Sequence, residues 1–540
     1  MRTPRTFRRS LILKIFAPLA AVSLLATACG SSPSTPSSKT SSSNSTIVIA
    51  IPSDMQNLDP TLSSGDQVTQ EVLTNIYSWL DDYDYTGTGS SANIDKFIGG
   101  AAQDWTVQDG GKTIVFHLRK GIKFANGDPL NAQAVKFTYN RIFAQNGVTA
   151  ALMGMAGLTS QGVQVVNPTT VAFHLTKAND LFFGNLSQFG NSILDPKVVT
   201  AHEKNGDFAH GWLSTHATGT ESGPYIISSW QPGNEVILKR NPNYWGTVRN
   251  QEVILKIVPD PSSRLADVES GAVDVAEQIP TNEVAQAQKD ANVQLHINTS
   301  RQVDYIGMNV DKPPFNNQLF REAVDYAVPY QAIIKHALNG YGEQLKSIIP
   351  DGTPDRTDQY FTGTNLAKAK ELLKQSGVKT PVNVTLTVPS GNYTAQQTAV
   401  WVESGLKNIG VNVTIDQMPG ASYEKDLQAH SLAFFWSDWT SINNDPFYQF
   451  YWLLDSSCCD YTNYSNPTIT NLINTNLLST NASQRQAAAF EIQKLMAQGA
   501  PWIFLDQPDF ITATHKGTTG FVWYSDAGYV RYRWFQNTGH

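Results

Sequence analysis

Between Gly223 and Trp245 the chain spells out a β-hairpin. Tyr225, Ile227 and Ser229 alternate with Ile226, Ser228 and Trp230, and Val236, Ile237 and Leu238 resume as a second strand. Pro232-Gly233 between them sets a fixed φ beside a residue that tolerates φ above zero, the requirement of a type II turn. Asn241-Pro242 supplies the next turn signal, so strand, turn, strand and exit all sit in one short stretch.

Short strands alternate with helices along the rest of the chain, which makes the fold class α/β. Ser45 to Ile51 reads as the opening strand and stops at Pro52-Ser53-Asp54-Met55-Gln56-Asn57-Leu58-Asp59-Pro60. A helix is predicted over Gln67 to Leu80, with Val68, Val72, Leu73, Ile76 and Leu80 on one face. Val163 to Leu175 is strand, turn, strand about Asn167-Pro168. Ser262 can cap a helix that Gly271 ends, and Val273 then begins a strand. Gln318 to Pro329 buries Leu319, Phe320, Ala323, Val324, Ala327 and Val328, and Leu366 to Gly377 is a helix with Asn365 as cap and Gly377 as stop. Strands Val382 to Val388 and Val411 to Ile415 flank another helix. Gly110-Gly111-Lys112-Thr113 has the tail of a phosphate loop, but position 106 is Thr and the segment leads into a strand, so it is a hairpin turn. No repeat of 20 to 50 residues is present.

The chain's start is a leader. Arg2, Arg5, Arg8, Arg9 and Lys14 precede an apolar run from Ile15 to Ala28 that is too short to span a bilayer, the pattern of a secretory signal over residues 1–28. Leu25-Ala26-Thr27-Ala28-Cys29 resembles a bacterial lipobox, with Ala26 where Leu is commoner, and implies lipidation of Cys29; the alternative is plain cleavage near Ala28. Phe7-Arg8-Arg9-Ser10-Leu11 faintly resembles a twin-arginine signal, so the export route stays open. Residues 29–45 are dominated by Ser, Thr and Pro and form a tether with too little apolar surface to fold. Removing residues 1–28 takes five positive charges from a formal balance of −7 and leaves −12. That excess argues against nucleic acid as a partner and does not favour anionic ligands. With Cys29 lipidated, Cys458 and Cys459 remain, either as a bond between neighbours or as two free thiols.

Several of these stretches resemble one family. Gly223-Pro224-Tyr225 through Arg240-Asn241-Pro242-Asn243-Tyr244-Trp245 is similar to the signature of the family-5 extracytoplasmic solute-binding proteins, the oligopeptide, dipeptide and nickel receptors of ABC importers. Leu58-Asp59-Pro60, the segment Trp105 to Arg141, Arg264 to Asp274, and Tyr305 to Asn309 with Pro313-Pro314-Phe315 match the same pattern. The resemblance runs from about residue 46 to about residue 535 and implies a type II periplasmic-binding-protein fold (cluster C) with the ligand in the cleft between two lobes. It further implies a lobe I core of 46–75, 218–305 and 512–540, an extra subdomain of lobe I over 76–217, and lobe II over 306–511. The partners implied are a small-molecule solute, a peptide before others, the transmembrane subunits of an ABC permease, and the outer face of the cell membrane through the lipid anchor. The receptor is expected to be a monomer without a cofactor.

Phe434 to Trp452 holds nine aromatic residues in nineteen. Phe434, Phe447 and Phe450 are expected in the core; Trp436, Trp439, Tyr448 and Trp452 are expected to line the cleft. Peptide-binding relatives carry a motif like W-x-x-D-x-x-(D/E)-P whose first acid meets the ligand's α-ammonium. Aligned on Trp439 and Pro446, that position is Ile442 here, and Asp445 matches the acid before Pro, mainly as a turn residue. Asp438 cannot simply substitute, because four extended residues displace it by about 13 Å. A charge-assisted bond to a buried ammonium contributes about 1.5–3 kcal/mol, so the departure leaves either another acid at the amine or a ligand without one. Trp436, Asp438, Trp439, Thr440, Ser441, Ile442 and Asp445 are the candidate ligand residues on one side, and Asp54, Met55 and Gln56 after the first strand on the other. The rival within the fold is an oligosaccharide or other hydroxylated solute stacked on Trp436, Trp439 and Trp452, with Asn443, Asn444 and Asp445 as hydrogen-bonding groups. No catalytic residue is assigned: there is no Gly-x-Ser-x-Gly elbow, and His202-Glu203 lacks the second His of a zinc helix. No metal site is expected.

Overall fold

The computed structural model describes residues 46–538 apart from 64–65, 87–90, 362, 456–457 and 526–528. The expected signal, Cys29 and the tether lie outside the described residues.

One mixed sheet organises the molecule. Its order is Val411–Met418, Val382–Pro389, Phe434–Thr440, Gln302–Met308, Trp502–His515, Val275–Ala276, Thr46–Ile51, Glu252–Ile257, Glu235–Arg240, Tyr225–Gln231, with Val293–Thr299 and Gly342–Gln344 also paired to Trp502–His515. The opening strand runs parallel to Glu252–Ile257, and Val382–Pro389 runs parallel to Val411–Met418. Trp502–His515 is the long member: its first residues pair with Gln302–Met308 and its last with Val293–Thr299. The change of partner falls at Ser300-Arg301 and between Asp506 and Asp509. Each half of the sheet has its own core, Ile47, Val72 and Leu255 in one, Phe320, Leu386 and Val402 in the other.

The hairpin forms as its residues dictate. Strands Tyr225–Gln231 and Glu235–Arg240 pair antiparallel, Gly233 has φ 75°, and the Asn234 amide donates to the Gln231 carbonyl at 3.0 Å. Gly223 before it has a steric reason: a Cβ there would lie 2.6 Å from backbone atoms of Ile76 and Tyr77, because its amide donates to the Ile76 carbonyl at 2.8 Å. Asn241 closes the motif, its side chain donating to the Gly223 carbonyl at 2.9 Å.

The segment expected as an extra subdomain contains a four-stranded antiparallel sheet, Ala102–Gln108, Thr113–Leu118, Thr170–Leu175 and Leu158–Asn167 in spatial order. Gly110, at φ 63°, sits in the turn between the first two, where a phosphate loop was excluded. Asp59 of the Leu-Asp-Pro turn ties this region to the opening strand. It is fully buried and accepts from both terminal nitrogens of Arg141, at 2.9 and 2.6 Å, and from His210 at 2.9 Å.

Three local expectations need correction. The first helix is Gln67–Ile76, capped by Asp66, and stops short of Leu80 because the Tyr77 to Leu80 segment turns away to enter the next strand. The helix Pro261–Glu269 is capped by Asp260, whose carboxylate accepts from the Ser263 amide at 2.8 Å; Ser262 lies inside its first turn. Leu319 stays partly exposed on Gln318–Ala327, whereas Arg321 is buried and donates to the carbonyls of Phe315, Gly499 and Ala500. Leu366–Ser376 has the expected Asn365 cap and a left-handed Gly377. Cys458 and Cys459 form a disulfide between neighbours. No helix among the described residues is long and apolar enough to cross a membrane.

The fit of Gly223 gives a test. Gly223→Ala should lower stability by about 1–3 kcal/mol or more, because backbone cannot move aside as a side chain can. Denaturant titration that finds the variant within 0.5 kcal/mol of wild type, about the scatter of neutral changes, would contradict this packing.

Candidate functional site

A cavity of about 860 Å³ opens between the two halves of the sheet. One wall comes from Pro52, the turn and helix around Arg264 and the segment Gln278 to Glu283; the other from Gln302, Asp304, Trp436, Asp438 and the turn at Gly391 to Thr394. Pro508 to Ile511 of the crossing strand joins them.

The expected site residues divide sharply. Trp436 and Asp438 line the cavity, two apart on one face of Phe434–Thr440. Trp439 points to the other face, where it packs against the core beside Tyr448 with ring centroids 6.3 Å apart. Tyr448 and Trp452 are core residues rather than cleft residues: Asp445 caps the helix Pro446–Phe450, which carries Tyr448 inward with Phe447 and Phe450, and Trp452 is buried in the helical turn that follows, Tyr451–Asp455. Phe434, also expected in the core, is fully buried. Asp445 accepts from the Phe447 amide at 2.7 Å and forms a buried ion pair with Arg485. Ser441 is buried against Arg301, its carbonyl accepting from Nε at 3.2 Å; Thr440, beside it, is half-buried and absent from the cavity wall. The Ile442 carbonyl accepts from Tyr83 and from Gln188, and Asn443 donates to Leu181 and Asn185, so this stretch docks on the segment expected as the extra subdomain. Asn444 likewise donates to Asp95.

Asp54, Met55 and Gln56 are not on the cavity wall either. Asp54 accepts from the Trp230 indole at 2.8 Å and the Gly233 amide at 2.6 Å, holding the hairpin tip. Met55 is buried in the core, and Gln56 is exposed with its amide donating to Thr69.

Two aspartates that sequence reasoning passed over lie on the crossing strands, Asp304 on the cavity wall and Asp506 fully buried off it. Asp304 sits directly opposite Asp438 on one neighbouring strand and opposite Asp506 on the other. Side chains at directly opposed positions share a face, so three carboxyls stand in a row across three strands. An irregularity between Asp304 and Tyr305 brings Asp506 into that row. Asp304 is 1% exposed and accepts from the Gln302 amide at 2.7 Å; Asp506 is 0% exposed, and neither of its oxygens has a hydrogen-bond donor among the described residues. Two ionised carboxylates only accept and cannot satisfy each other, whereas a shared proton lets one donate. Burial pushes Asp506 up to about 7, and burial together with Asp506 and Asp438 pushes Asp304 well above the carboxylate range. Asp438 is open to the cleft's solvent but flanked by protein, and that enclosure, with Glu424 nearby, raises it to about 6. The signal in the sequence was an acid inside a buried apolar strand, in Val303-Asp304-Tyr305-Ile306 and again in Ile503-Phe504-Leu505-Asp506, which burial makes costly. No group of three or more His, Cys, Asp or Glu among the described residues is arranged to hold a metal ion.

The model of the bacterial extracellular solute-binding proteins, family 5, matches residues 96–459. The chain belongs to that family. It is therefore a solute-binding protein and not an enzyme, with the two-lobed α/β fold of periplasmic binding proteins. It is 27% identical over 486 residues to the probable D,D-dipeptide-binding periplasmic protein DdpA of Escherichia coli K12, covering 88% of this chain and 91% of that one. It is 26% identical over 495 residues to the glutathione-binding protein GsiB of Salmonella choleraesuis, covering 89% and 93%. The ABC transporter-associated periplasmic binding protein DppA of Helicobacter pylori, in complex with the peptide STSA, superposes with a TM-score of 0.80 at 22% identity over 92% of this chain and 99% of that one.

The acid row of this solute-binding protein makes its stability depend on pH with a definite sign. Folded pKa values of about 7 for Asp506 and about 6 for Asp438 lie above the unfolded value near 3.8, so the fold favours the protonated forms. Their stabilising contribution is complete below pH 4 and is lost as pH rises to about 7. The ligand-free protein should thus have a lower denaturation midpoint at pH 8 than at pH 5, and Asp506→Asn should flatten that slope. An unchanged slope in the variant would separate Asp506 from the effect.

Proposed function

We propose that this protein is the receptor of an ABC importer, capturing oligopeptides or dipeptides outside the membrane and delivering them to the permease, with a lipid on Cys29 as its anchor. The observation that carries the reading is a cavity of about 860 Å³ walled by both lobes, within the range of small-ligand sites and large enough for a short peptide. The relatives named above are a probable D,D-dipeptide-binding protein and a glutathione-binding protein, and the superposed neighbour holds a peptide. With no acid at position 442, the peptide amine is met by Asp438 and Asp304 instead. Backbone pairing supplies affinity while water fills the spaces around side chains. Closure of the lobes follows from contacts that the ligand makes only in the closed form. A hydroxylated solute has less to stack on, since one tryptophan, Trp436, lies on the wall where three were expected.

Mass spectrometry of whatever is released on denaturing the purified protein should reveal a peptide. A panel of di- to pentapeptides should include a member that stabilises the protein by about 2.7 kcal/mol at 100 times its Kd. Stabilisation by oligosaccharides with none by peptides would overturn the cargo, and turnover of any member would overturn the receptor.

The anchor is checked separately. Cys29→Ala should move the exported protein from the membrane fraction to the soluble extracytoplasmic fraction, and continued membrane association would rule out lipidation at Cys29.

A further inference from the structure

The charges on the cavity wall are lopsided. Glu283, Asp304, Asp438 and Asp509 line it against a single cation, Arg264. That guanidinium is already committed: Nε donates to the Glu277 carbonyl at 2.7 Å, Nη1 to Val258 and Pro259 at 2.7 and 2.9 Å, and Nη2 to Gln278 at 2.9 Å. No other Lys, Arg or His is among the described lining residues, so a solute's carboxylate meets one buried cation, most of whose donors are already taken, among four carboxyl groups.

Two further observations point to what the wall takes. The rings of Trp436 and Tyr393 share the cavity with the acid row, and Tyr393 is 53% exposed at the start of its helix, where an aromatic ring with no role in the core faces the cleft. The Trp436 indole N–H is itself buried without an acceptor among the described residues. Carboxylates beside aromatic faces, with a donor near by, suit an ammonium or guanidinium next to a carbonyl-type acceptor. A metal ion is not what the geometry fits, since the carboxylates stand side by side along strands and do not converge.

We propose that the cavity is selective for organic cations: the ammonium or guanidinium of the solute docks on Asp304 and Asp438 against Trp436 and Tyr393, and solutes that place a carboxylate in the cavity are rejected. The inference rests on the receptor reading above and narrows its cargo to solutes with net positive charge. A basic peptide and a free polyamine share this chemistry.

The test uses the mature protein and four probes in calorimetric titrations at low and physiological salt: Ala-Ala-Lys amide, Ala-Ala-Ala, N-acetyl-Ala-Ala-Ala, and spermidine. The amide should bind at least about tenfold more tightly than the zwitterion, with the acetylated anion weaker again, tenfold corresponding to 1.4 kcal/mol. Asp438→Asn, at a position open to solvent and so tolerant of change, should reduce the ratio of amide to zwitterion affinity by about tenfold; Asp304→Asn should do the same if its melting temperature shows that it folds. Binding of the acetylated anion as tightly as the amide, or an unchanged ratio in Asp438→Asn, would overturn the cation selectivity and leave the peptide receptor standing. Binding of spermidine without any peptide would support the cation selectivity and overturn the peptide cargo.

Discussion

The structure depends on one strand that hydrogen-bonds to both halves of the molecule. Trp502–His515 pairs first with Gln302–Met308 and then with Val293–Thr299, so the two lobes are parts of one sheet rather than separate bodies joined by loose chain. The partner changes at Asp506 to Asp509, and the segment Ser300-Arg301 makes the matching passage on the neighbouring strand. A sheet that continues across this boundary places the floor of the cleft on rigid backbone. Whatever side chains the crossing strands present there are held to the strand spacing, the rigid support that a binding site needs.

This explains why the acid row matters more than the count of acids. Carboxyls on three adjacent strands are spaced by the sheet and cannot relax apart, so their mutual repulsion and their desolvation act on protonation instead of on structure. The effect is strongest where solvent is absent, at Asp506 and Asp304, and weaker at Asp438, which faces the open cleft. Arg485 provides the contrast: its buried pairing with Asp445 neutralises that acid and locks a helix start. One aspartate of the segment thus serves architecture and another, seven residues earlier, has no ion-pair partner among the described residues. The difference is one of strand face and partner, not of residue type.

Much of the fold was legible because local rules and family pattern agreed. The Pro232-Gly233 turn, the Asn365 cap with its Gly377 stop, and the parallel pair around the helix Tyr393–Lys407 all follow from residues within a few positions of one another. The site was legible only in part. Alternation along Phe434–Thr440 puts Trp436 and Asp438 on the cavity, but which face of a strand buried on both sides meets the cleft is decided by its neighbours. Asp304 and Asp506 lie about two hundred residues apart in the chain and become one site through a register that includes an irregularity, and periodicity within either strand carries no trace of it. Cap chemistry misled in a smaller way at Asp260, where the acid before Pro261 takes the role that Ser262 could also have filled.

The displaced anchor has a structural counterpart. The backbone at Ile442 is held by Tyr83 and Gln188, and Asn443 and Asn444 reach Asn185 and Asp95, so the stretch where the family motif leads one to expect an amine-binding acid is here a seam against the segment expected as the extra subdomain. An apolar residue suits a seam, since it can pack without a counter-ion, whereas an unpaired carboxylate there would face desolvation with no cation to offset it. The acids of the crossing strands stand apart from this contact, with Asp304 and Asp438 on the cavity wall. On the proposed reading, a cation entering the cleft favours the ionised carboxylates that burial alone disfavours, and it biases the enclosed form only by as much as the two forms differ in their hold on it.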